Sequence, residues 1–553
     1  MVLRSEIARR ILEDRLKAHG IEATGEAVDA FLNPSLRDLA APNGLPGLSA
    51  AADVALDAIA AKRKIVVFGD YDCDGVCATA ILVKAMSAIG ADVEPFLPKR
   101  LSEGYGMSDA AVERMLREFP GVGLVVTVDN GINSVRQVGE LRARGIGVVV
   151  TDHHLPGEEL PSADALVDPK VDSPAEFADL CGAGVAFLLA YRMIAEARRR
   201  GMYDGPNIGG PLLVMAGIAT VTDIMPLFGQ NRIFVAEALR RFPVSAPIGL
   251  RELYLRAARS GSDRMTSRDF GFLLGPRINA AGRMAKADRS ESGMEALELL
   301  LSDDREITRE LARIVDGYNL ERKSIEQKMT DEAMAKLVPG APAQVIDLPD
   351  GHPGVVGIVA ARVLERLDGA GPVCVIAGGH GSARAPDGLN VRDAFAACAE
   401  CLSAFGGHAA AAGFAVKDGM LDEFRRSLCE YCAAHRAETD REEKTADVWV
   451  DAPDLTLELA DELKLLEPFG AGNEEPVLGI REAYLSDIRP LGGDGRHLVA
   501  TLRDSGLRTV FWNGGDLVEP LRASGASPHT LRFHLAASDY GEHHAELHLL
   551  SID

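Results

Sequence analysis

The sequence predicts an α/β protein that combines a mostly parallel sheet, a second α/β lobe and a strand-rich C-terminal domain. Apolar stretches at residues 64–68, 124–128 and 147–151 are typical of buried strands and alternate with helical stretches, which indicates a parallel sheet flanked by helices. Residues 302–337 contain no proline and predict one long helix, or two, between the lobes. Short strands separated by turns after residue 446 predict a small barrel or sandwich.

Length and charge narrow the class of protein. The chain has 553 residues, which at about 150 residues per domain suggests three or four domains. Its 59 Lys and Arg against 82 Asp and Glu give a formal net charge of −23. This charge argues against a polybasic protein that holds nucleic acid through its overall charge, but it leaves room for a local basic track. It also suits a site for divalent cations, because such ions take carboxylate ligands.

Targeting signals and cysteine usage point to the cytoplasm. No stretch reaches the roughly 18 apolar residues of a membrane span, and residues 1–6 lack an apolar signal core. We therefore expect a cytoplasmic protein without membrane contact. Its eight cysteines are too sparse for a disulfide scaffold. The pairs Cys398/Cys401 and Cys429/Cys432 raise zinc as an alternative, although their helix-like surroundings favour packing.

Four segments place acidic or histidine side chains at predicted strand ends or within an apolar run. Ligands of open parallel sheets bind beyond the carboxyl ends of the strands, so the strand-end segments should meet at one place. An Asp within an apolar run needs a partner or a metal ion to offset its burial. Residues 69–75 are expected to form a turn before an apolar helix at residues 78–88. The side chains concerned are Asp70, Asp72, Asp74, Asp129, Asp152, His153, His154 and Asp223.

Each segment alone has a simpler interpretation. The first begins like a calcium-binding EF-hand loop, but that loop needs a Glu six positions after its Gly, and six after Gly75 is Ile81. An Asp-rich surface turn remains open for the first segment and an ordinary Asp-Asn-Gly turn for the second. A stacked pair of surface histidines remains open for the third.

The combined set of side chains points to metal-assisted chemistry. Crowded carboxylates repel one another unless cations lie between them. Oxygen donors with one or two imidazoles favour Mn²⁺ or Mg²⁺ over structural zinc. Two such ions about 3.5–4 Å apart clamp a phosphate and activate a water, which predicts hydrolysis of a phosphate ester or anhydride.

The four segments resemble the four motifs of the DHH phosphoesterase superfamily, whose members typically depend on Mn²⁺ or Mg²⁺. The resemblance implies that Asp70 and His154 are catalytic neighbours that polarise the water or contact the phosphate. Asp152 would support the fold and orient the histidine pair. The metal ligands implied, for two ions, are Asp72, Asp74, Asp129, His153 and Asp223.

Other segments resemble the RecJ family of single-strand-specific exonucleases within this superfamily. They lie at residues 99–106, 275–284, 352–362, 381–384, 405–408 and 466–476. Residues 275–284 are expected to form a Gly- and Pro-framed loop whose arginines bind phosphate, with a structural ion-pair loop as the simpler interpretation. The implied contacts to nucleic acid are Arg100 at a terminal phosphate, Tyr105 beside a base, Arg277, Asn279 and Arg283 in the loop, and Ser382, Arg384 and His408 at the 5′ end.

The patterns and the resemblance together predict five units. They are an N-terminal helical leader (1–50) packed on the main body, a DHH catalytic domain (51–240), a helical connector (241–337), a DHH-associated domain (338–435) and an OB-type single-strand-binding domain (446–553). Residues 436–444 are strongly charged and are expected to be a linker. In the last unit, Phe511, Trp512, Arg496 and Arg503 are candidate contacts to a single strand.

The resemblance implies a 5′-to-3′ exonuclease that degrades single-stranded DNA to mononucleotides in DNA repair and recombination. Its partners would be single-stranded DNA and, upstream, a helicase or a single-strand-binding protein, and a monomer is the default state. A DHH phosphodiesterase of cyclic dinucleotides or short oligonucleotides is the alternative, against which the C-terminal strands argue. A catalytically inactive relative that guides strands is a third hypothesis, against which the intact acidic and histidine set argues.

Overall fold

The structure, a computed structural model, describes residues 3–100, 102–258, 264–284, 293–367, 371–435, 446–525, 527–538 and 543–553. The linker predicted at residues 436–444 lies outside the described residues. The described chain contains a parallel sheet, a mixed sheet and a mainly antiparallel sheet in that order, with helices between the strands. This arrangement confirms the predicted α/β class.

The first lobe alternates strands with helices and follows two N-terminal helices. Its elements are α1 (Glu6–Ala18), α2 (Gly25–Leu32), α3 (Leu48–Ala60), β1 (Lys64–Phe68), α4 (Cys73–Ile89), β2 (Val93–Phe96), α5 (Asp109–Glu118), β3 (Val122–Thr127), α6 (Val135–Ala143), β4 (Gly147–Thr151), β5 (Ala165–Val167), α7 (Gly182–Arg199), α8 (Gly209–Thr222) and α9 (Gly229–Ser245). The strands predicted at residues 64–68 and 147–151 have those bounds, and the strand predicted at 124–128 is β3.

The sheet of the first lobe has a reversal point. Its five strands are parallel in the order β2-β1-β3-β4-β5, so the chain changes its direction of progress between β1 and β3. β1, β3 and β4 are short, buried, Val-rich runs, as a parallel sheet covered by helices on both faces requires. Sheets of this type bind ligands at the reversal point, beyond the carboxyl ends of the strands.

Helix α4 begins earlier than predicted. The apolar run suggested a helix at residues 78–88, whereas α4 begins at Cys73. Asp72 is the N-cap residue, and its carboxylate accepts a hydrogen bond from the Gly75 amide at 3.0 Å. This cap extends the helix toward β1 and places Asp74 in its first turn.

The connector between the lobes is mainly helical in its described part. It contains α10 (Ile248–Ala257), α11 (Ser267–Asp269), a π-helical turn (Phe270–Leu274), α12 (Gly275–Arg283), α13 (Met294–Leu301) and α14 (Arg305–Ala335). The loop predicted at residues 275–284 is therefore wrong. Pro276 lies in the first turn of α12, where its missing N–H costs no hydrogen bond. Gly275 is required there because a Cβ atom would lie 2.0 Å from Cγ2 of Thr222.

The second lobe is a mixed sheet with helices. Its elements are β6 (Gln344–Asp347), α15 (Val356–Arg366), β7 (Val373–Ala377), β8 (His380–Arg384), α16 (Val391–Ala397), β9 (Leu402–Gly407), β10 (Ala411–Val416) and α17 (Leu421–Ala434), with strand order β6-β7-β8-β10-β9. Cys398, Cys401 and Cys432 lie in its hydrophobic core with Cys374, which agrees with packing. Within the described ranges, the side-chain groups with metal-ligand spacing contain no cysteine.

The C-terminal domain is one seven-stranded sheet with two helices. Its elements are β11 (Val448–Trp449), α18 (Leu457–Lys464), β12 (Leu478–Ala483), β13 (Leu485–Leu491), β14 (His497–Leu502), β15 (Arg508–Phe511), α19 (Val518–Ala523), β16 (His529–Ser538) and β17 (His544–Ile552). The strand order is β11-β12-β16-β17-β15-β14-β13. Most neighbours are antiparallel, and the pairs β11–β12 and β15–β17 are parallel.

The N-terminal segment packs on the C-terminal domain. Ile11, Leu12 and Leu16 of α1 share a hydrophobic core with residues of α18 and of the C-terminal sheet. The carboxylate of Glu462 in α18 accepts hydrogen bonds from the amides of Arg4 and Ser5, at 3.0 and 2.7 Å. The two ends of the chain therefore form one core. Among the helices of the described ranges, none is both long and apolar enough to cross a lipid bilayer.

Candidate metal centre

The strand ends place the predicted carboxylates at the reversal point of the first sheet. Asp70 and Asp72 lie between β1 and α4, Asp129 follows β3, and Asp152 follows β4 directly. Asp223 comes from a different kind of element, since it is the C-cap residue of helix α8. Helix α8 lies against α4, which brings Asp223 to the same edge of the sheet.

His153 lies at the centre of the cluster. Its Nε2 atom is 3.0 Å from Oδ1 of Asp129, 3.6 Å from Oδ2 of Asp74 and 3.7 Å from Oδ2 of Asp223. Asp129 and Ile224 have the left-handed φ values of 60° and 59°, which are unfavourable for L-residues and recur at functional sites. One imidazole thus joins three segments that are distant in the sequence.

The carboxylates of the cluster are buried without enough partners. Both oxygens of Asp70 and Oδ2 of Asp223 are buried and accept no hydrogen bond from the described residues. Burial, together with the neighbouring Asp74 and Asp72, raises the pKa of Asp223 to about 8. Burial and the nearby carboxylates also raise the pKa values of Asp70 and Asp129 well above the usual range. The described residues alone do not stabilise the charged forms of these groups.

Asp152 is different, because protein groups satisfy its carboxylate. It accepts hydrogen bonds from the amides of Ile132 and His153, at 2.9 and 2.8 Å, and lies 2.6 Å from Nδ1 of His154. Although burial opposes it, this contact raises the pKa of His154 to about 9. The hydroxyl of Tyr105 lies 3.1 Å from Nε2 of His154 and donates to the Asp129 carbonyl oxygen at 3.1 Å. His154 and Tyr105 therefore flank the cluster on its exposed side.

Asp74 is held by the beginning of helix α7. The amides of Gly182 and Ala183 donate to its two carboxylate oxygens at 2.6 and 2.8 Å. No sequence motif pointed to Gly182 or Ala183. A possible signal was the pair of glycines, Gly182 and Gly184, at the start of an apolar helix, because free amides at a helix N-terminus bind anions.

Arg100 and Arg283 lie near carboxylates of the acidic cluster, and Arg384 lies near Arg100. Arg100 lies over the ring of Tyr71 at 5.1 Å, and its charge acts on Asp70. Burial and the neighbouring Arg100 lower the pKa of Arg283 to about 10, and both effects also lower the pKa of Arg384. Arg384 belongs to β8 of the second lobe, and its guanidinium donates to Oγ of Ser382 at 3.0 Å. Both lobes thus contribute cations to one region.

Of three other predicted contacts, two have protein partners and the third is exposed. Arg277 is almost fully buried and donates to Asp316 at 2.9 Å, which is the structural ion pair considered above. Asn279 accepts a hydrogen bond from the Cys73 amide at 2.8 Å and so supports the start of α4. His408 is exposed in the turn between β9 and β10.

Known domain families match consecutive parts of the chain. The DHH family, N-terminal domain, matches residues 64–214, the DHHA1 domain matches residues 340–434, and the RecJ OB domain matches residues 446–548. These ranges contain the parallel sheet, the second lobe and most of the C-terminal sheet respectively.

Similarity extends over most of the chain. A single-stranded-DNA-specific exonuclease RecJ from Thermus thermophilus is 37% identical over 478 residues, which are 86% of this chain and 67% of that protein. The crystal structure of RecJ in complex with Mn²⁺ from the same organism matches with a TM-score of 0.82 and 32% identity, covering 100% of this chain and 78% of that one. The chain belongs to the RecJ family. The resemblance seen in the sequence motifs is thereby confirmed.

Other RecJ proteins are longer than this chain. A single-stranded-DNA-specific exonuclease RecJ from Bacillus subtilis is 34% identical over 507 residues, which are 90% of this chain and 62% of that protein. The chain therefore spans 62–67% of these two RecJ relatives. The DHH family match contains most of the acidic cluster, including Asp70, Asp129 and His153, and ends before Asp223.

Proposed function

We propose that the protein is a divalent-cation-dependent exonuclease that hydrolyses single-stranded DNA from the 5′ end to mononucleotides. The observation that carries the proposal is the convergence of buried, unsatisfied carboxylates with arginines from both lobes at the sheet reversal point. The RecJ relatives, named single-stranded-DNA-specific exonucleases, support the same substrate and reaction.

The side chains fit two Mn²⁺ or Mg²⁺ ions. Three groups each bring their ligand atoms within 4.8 Å of one another, and Asp129 and His153 each belong to two of the groups. The partnerless oxygen of Asp223 agrees with direct coordination of a cation, and those of Asp70 agree with contact to a metal-bound water, because buried carboxylate oxygens otherwise need donors. Carboxylates with few imidazoles are ligands that these ions accept. The groups are Asp70/Asp72/Asp129, Asp129/His153/His154 and Asp74/His153/Asp223.

We propose Asp72, Asp74, Asp129, His153 and Asp223 as the metal ligands. The bound ions would supply charge neutralisation at the phosphate and an activated water. Asp70 and His154 each have a ligand atom within 4.8 Å of proposed ligands, where they would contact the water and the phosphate. Asp152 fixes the ring of His154, so that its other nitrogen is available beside the Tyr105 hydroxyl. A scissile phosphate entering there would meet a hydrogen-bond donor on its exposed side.

The arginines would set the direction of digestion. Arg100, Arg283 and Arg384, with Ser382, form a cationic group on one side of the carboxylates. A terminal phosphate carries more charge than a bridging one, so this group would bind a 5′-terminal phosphate one nucleotide from the cut. His408 would contact the strand further out. We do not extend the proposal to Arg277 and Asn279, whose side chains have protein partners.

The C-terminal domain would hold the rest of the strand. Trp512 is 51% exposed and Arg496 is also exposed, so both can meet nucleotides by stacking and charge. We place the activity in DNA repair and recombination, with a helicase or a single-strand-binding protein supplying the substrate to a monomeric enzyme. The family likeness supports this setting.

Digestion of labelled strands tests the proposal. Single strands labelled at the 5′ or the 3′ end, and matching duplexes, are incubated with Mn²⁺ or with chelator. We expect early release of 5′-labelled mononucleotides from single strands with Mn²⁺, little cleavage of blunt duplexes, and none in chelator. First release of the 3′ label would overturn the direction.

A length series separates this activity from the alternative. An exonuclease that holds a trailing strand should favour long single strands over dinucleotides and cyclic dinucleotides. Preference for dinucleotides would indicate the small-molecule phosphodiesterase. Strand binding without hydrolysis under any metal would indicate a guiding protein.

A further inference from the structure

The first turn of helix α7 contacts the acidic cluster from the protein interior. Its amides at Gly182 and Ala183 donate to both oxygens of Asp74, at 2.6 and 2.8 Å. The thiol of Cys181, the N-cap residue, lies near the Asp74 carboxylate, whose pKa it lowers against the effect of burial, and is 3.7 Å from Oγ1 of Thr220. Cys181 is fully buried. Three consecutive residues thus fix one carboxylate.

The same turn also sets the place of Asp129. A Cβ atom on Gly182 would lie 2.7 Å from Cβ, 3.0 Å from Cα and 3.0 Å from Oδ1 of Asp129. Real Cβ atoms do not approach so closely, so any other residue at position 182 must displace the Asp129 segment or the helix. Asp129 already has a left-handed backbone, which leaves it little freedom to adjust.

Asp74 differs from Asp70 and Asp223 because protein donors bind both of its carboxylate oxygens. Asp70 and Asp223 have carboxylate oxygens that accept no hydrogen bond from the described residues. Each carboxylate oxygen of Asp74 accepts a hydrogen bond from one backbone amide and keeps a second lone pair. An N–H donor and the positive end of a helix favour the charged form of a carboxylate. Burial nevertheless raises the pKa of Asp74, so the effect of these donors that the structure shows is a fixed orientation of its carboxylate before a cation arrives.

We infer that Cys181, Gly182 and Ala183 are positioning residues that set Asp74 and Asp129 at the distance and in the orientation required for divalent cation binding. This inference rests on the proposed function, because it concerns the same metal ligands. Groups that orient metal ligands typically change metal affinity about 10–100-fold when they are altered.

Replacement of Gly182→Ala tests the inference against a matched control. Gly184→Ala lies in the same helix, where an added Cβ atom would meet Leu180 and Phe234 at ordinary distances of 3.4–3.6 Å. Mn²⁺ binding is measured by electron paramagnetic resonance of the free ion, without DNA. We expect Gly182→Ala to weaken Mn²⁺ binding about 10–100-fold, and Gly184→Ala to change it less than about twofold. Equal Mn²⁺ binding by the folded Gly182→Ala variant and the wild type would overturn the inference.

A second pair of variants covers the case in which Gly182→Ala does not fold. Cys181→Ser keeps a donor toward Asp74, and Cys181→Ala removes it. Circular dichroism in chelator reports folding of both. We expect a several-fold weaker Mn²⁺ affinity for Cys181→Ala and recovery with Cys181→Ser. Equal affinity of Cys181→Ala and wild type would overturn the role of the thiol.

The readouts keep this inference apart from the proposed function. If the wild type bound no Mn²⁺, or if Asp129→Asn bound it as well as the wild type, the proposed metal centre itself would fail. If the wild type bound Mn²⁺ through Asp129 but tolerated both replacements in α7, only the inference about α7 would fail. Half-saturating Mn²⁺ for hydrolysis should rise in Gly182→Ala more than its rate at saturating Mn²⁺ falls.

Discussion

Two buried charged regions of the molecule show opposite solutions to the same physical problem. In the acidic cluster, both oxygens of Asp70 are buried without a partner among the described residues. At the junction between α9 and the C-terminal domain, Arg232 is 2% exposed, yet each of its three side-chain nitrogens donates to a backbone carbonyl. Its guanidinium also lies 3.6 Å from the ring of Phe31.

The difference shows which region is complete. A buried charge is tolerated when hydrogen bonds or counter-ions replace its lost hydration. Arg232 receives this replacement from carbonyls of Phe31, Leu466, Glu467 and Pro468, and so joins the N-terminal segment, the first lobe and the C-terminal domain. Carboxylates of the acidic cluster lack such hydrogen bonds from the described residues, and divalent cations are counter-ions that suit them. The Arg232 junction stabilises the fold. The acidic cluster lowers the stability of the metal-free protein and is suited to bind cations.

The largest expected effect comes from Asp129→Asn. Loss of a shared ligand should reduce the rate of hydrolysis at least about 10³-fold, or about 4 kcal/mol in the barrier. Asn tolerates the left-handed backbone of Asp129, and removal of one repelling charge should leave the chelated protein no less stable. Rates with Mn²⁺ and thermal melting in chelator measure the two effects.

Asp172→Asn is the matched control for this change. Asp172 also has a left-handed φ, 48°, but it is exposed. We expect wild-type rates from it. Substantial hydrolysis by Asp129→Asn, with the control unchanged, would remove Asp129 from the proposed ligand set.

The next effect is on stability rather than on the reaction. Arg232→Met removes the donor of the Phe31 and Glu467 carbonyl oxygens, whereas those of Leu466 and Pro468 keep a hydrogen bond from Asn473, and it should destabilise the C-terminal domain by about 3 kcal/mol. The two tryptophans, Trp449 and Trp512, both lie in that domain, so fluorescence during urea unfolding reports it selectively. Mn²⁺ affinity should stay unchanged.

Arg240→Met on the same helix is the control. The Arg240 side chain is 55% exposed, so its loss should cost less than about 1 kcal/mol. Equal unfolding midpoints for the Arg232 and Arg240 variants would show that the junction is not held by the buried guanidinium.

Local sequence patterns predicted the acidic cluster better than they predicted the Arg232 junction. Val-rich strands followed by Asp identified β1, β3 and β4, and the topology of a parallel sheet then brought Asp70, Asp129 and Asp152 together. No local signal distinguishes Arg232 from an arginine on the surface. Its role depends on carbonyls more than 200 residues away in the sequence.

The wrong predictions for residues 275–284 also arise because long-range packing is not visible in a local sequence pattern. Gly275 and Pro276 suggested a loop, yet Pro fits the first turn of a helix and Gly275 allows close packing on Thr222. Arg277 suggested a phosphate contact, yet Asp316 on α14 lies within reach of its guanidinium. Pattern alone cannot choose between two partners of the same charge, because tertiary packing makes that choice.

A smaller effect on the free energy of unfolding is expected when the pH and the Mn²⁺ concentration are varied. Burial, then Asp74 and Asp72, raise the pKa of Asp223 to about 8 from an unfolded value near 3.8. The folded state therefore holds the proton more tightly, so this group makes the free energy of unfolding fall as pH rises from about 4 to about 8 in chelator. Free Mn²⁺ at about 100 times its Kd should add about 2.7 kcal/mol, most clearly at the alkaline end.

The difference between wild type and Asp223→Asn isolates this contribution. Melting temperatures are recorded in chelator and in Mn²⁺ across the same pH range. In chelator, Asp223→Asn should gain stability relative to wild type as pH rises, and in Mn²⁺ it should lose it. A difference that is flat with pH in chelator would mean that Asp223 does not carry the burial penalty.

The smallest expected effect comes from Arg384, the arginine that the second lobe contributes to the cationic group. Arg384→Gln should raise the KM for 5′-phosphorylated single strands about tenfold and leave kcat less affected, since the guanidinium would bind the terminal phosphate rather than the scissile one. A strand with a 5′-hydroxyl should show little change, so the preference for the phosphate should disappear. Arg392→Gln, an exposed arginine of α16, is the control and should keep the preference. If Arg384→Gln lowered kcat equally on both strands, the guanidinium would act at the cut, and the cationic group would belong to the acidic cluster rather than to a separate site for the 5′ end.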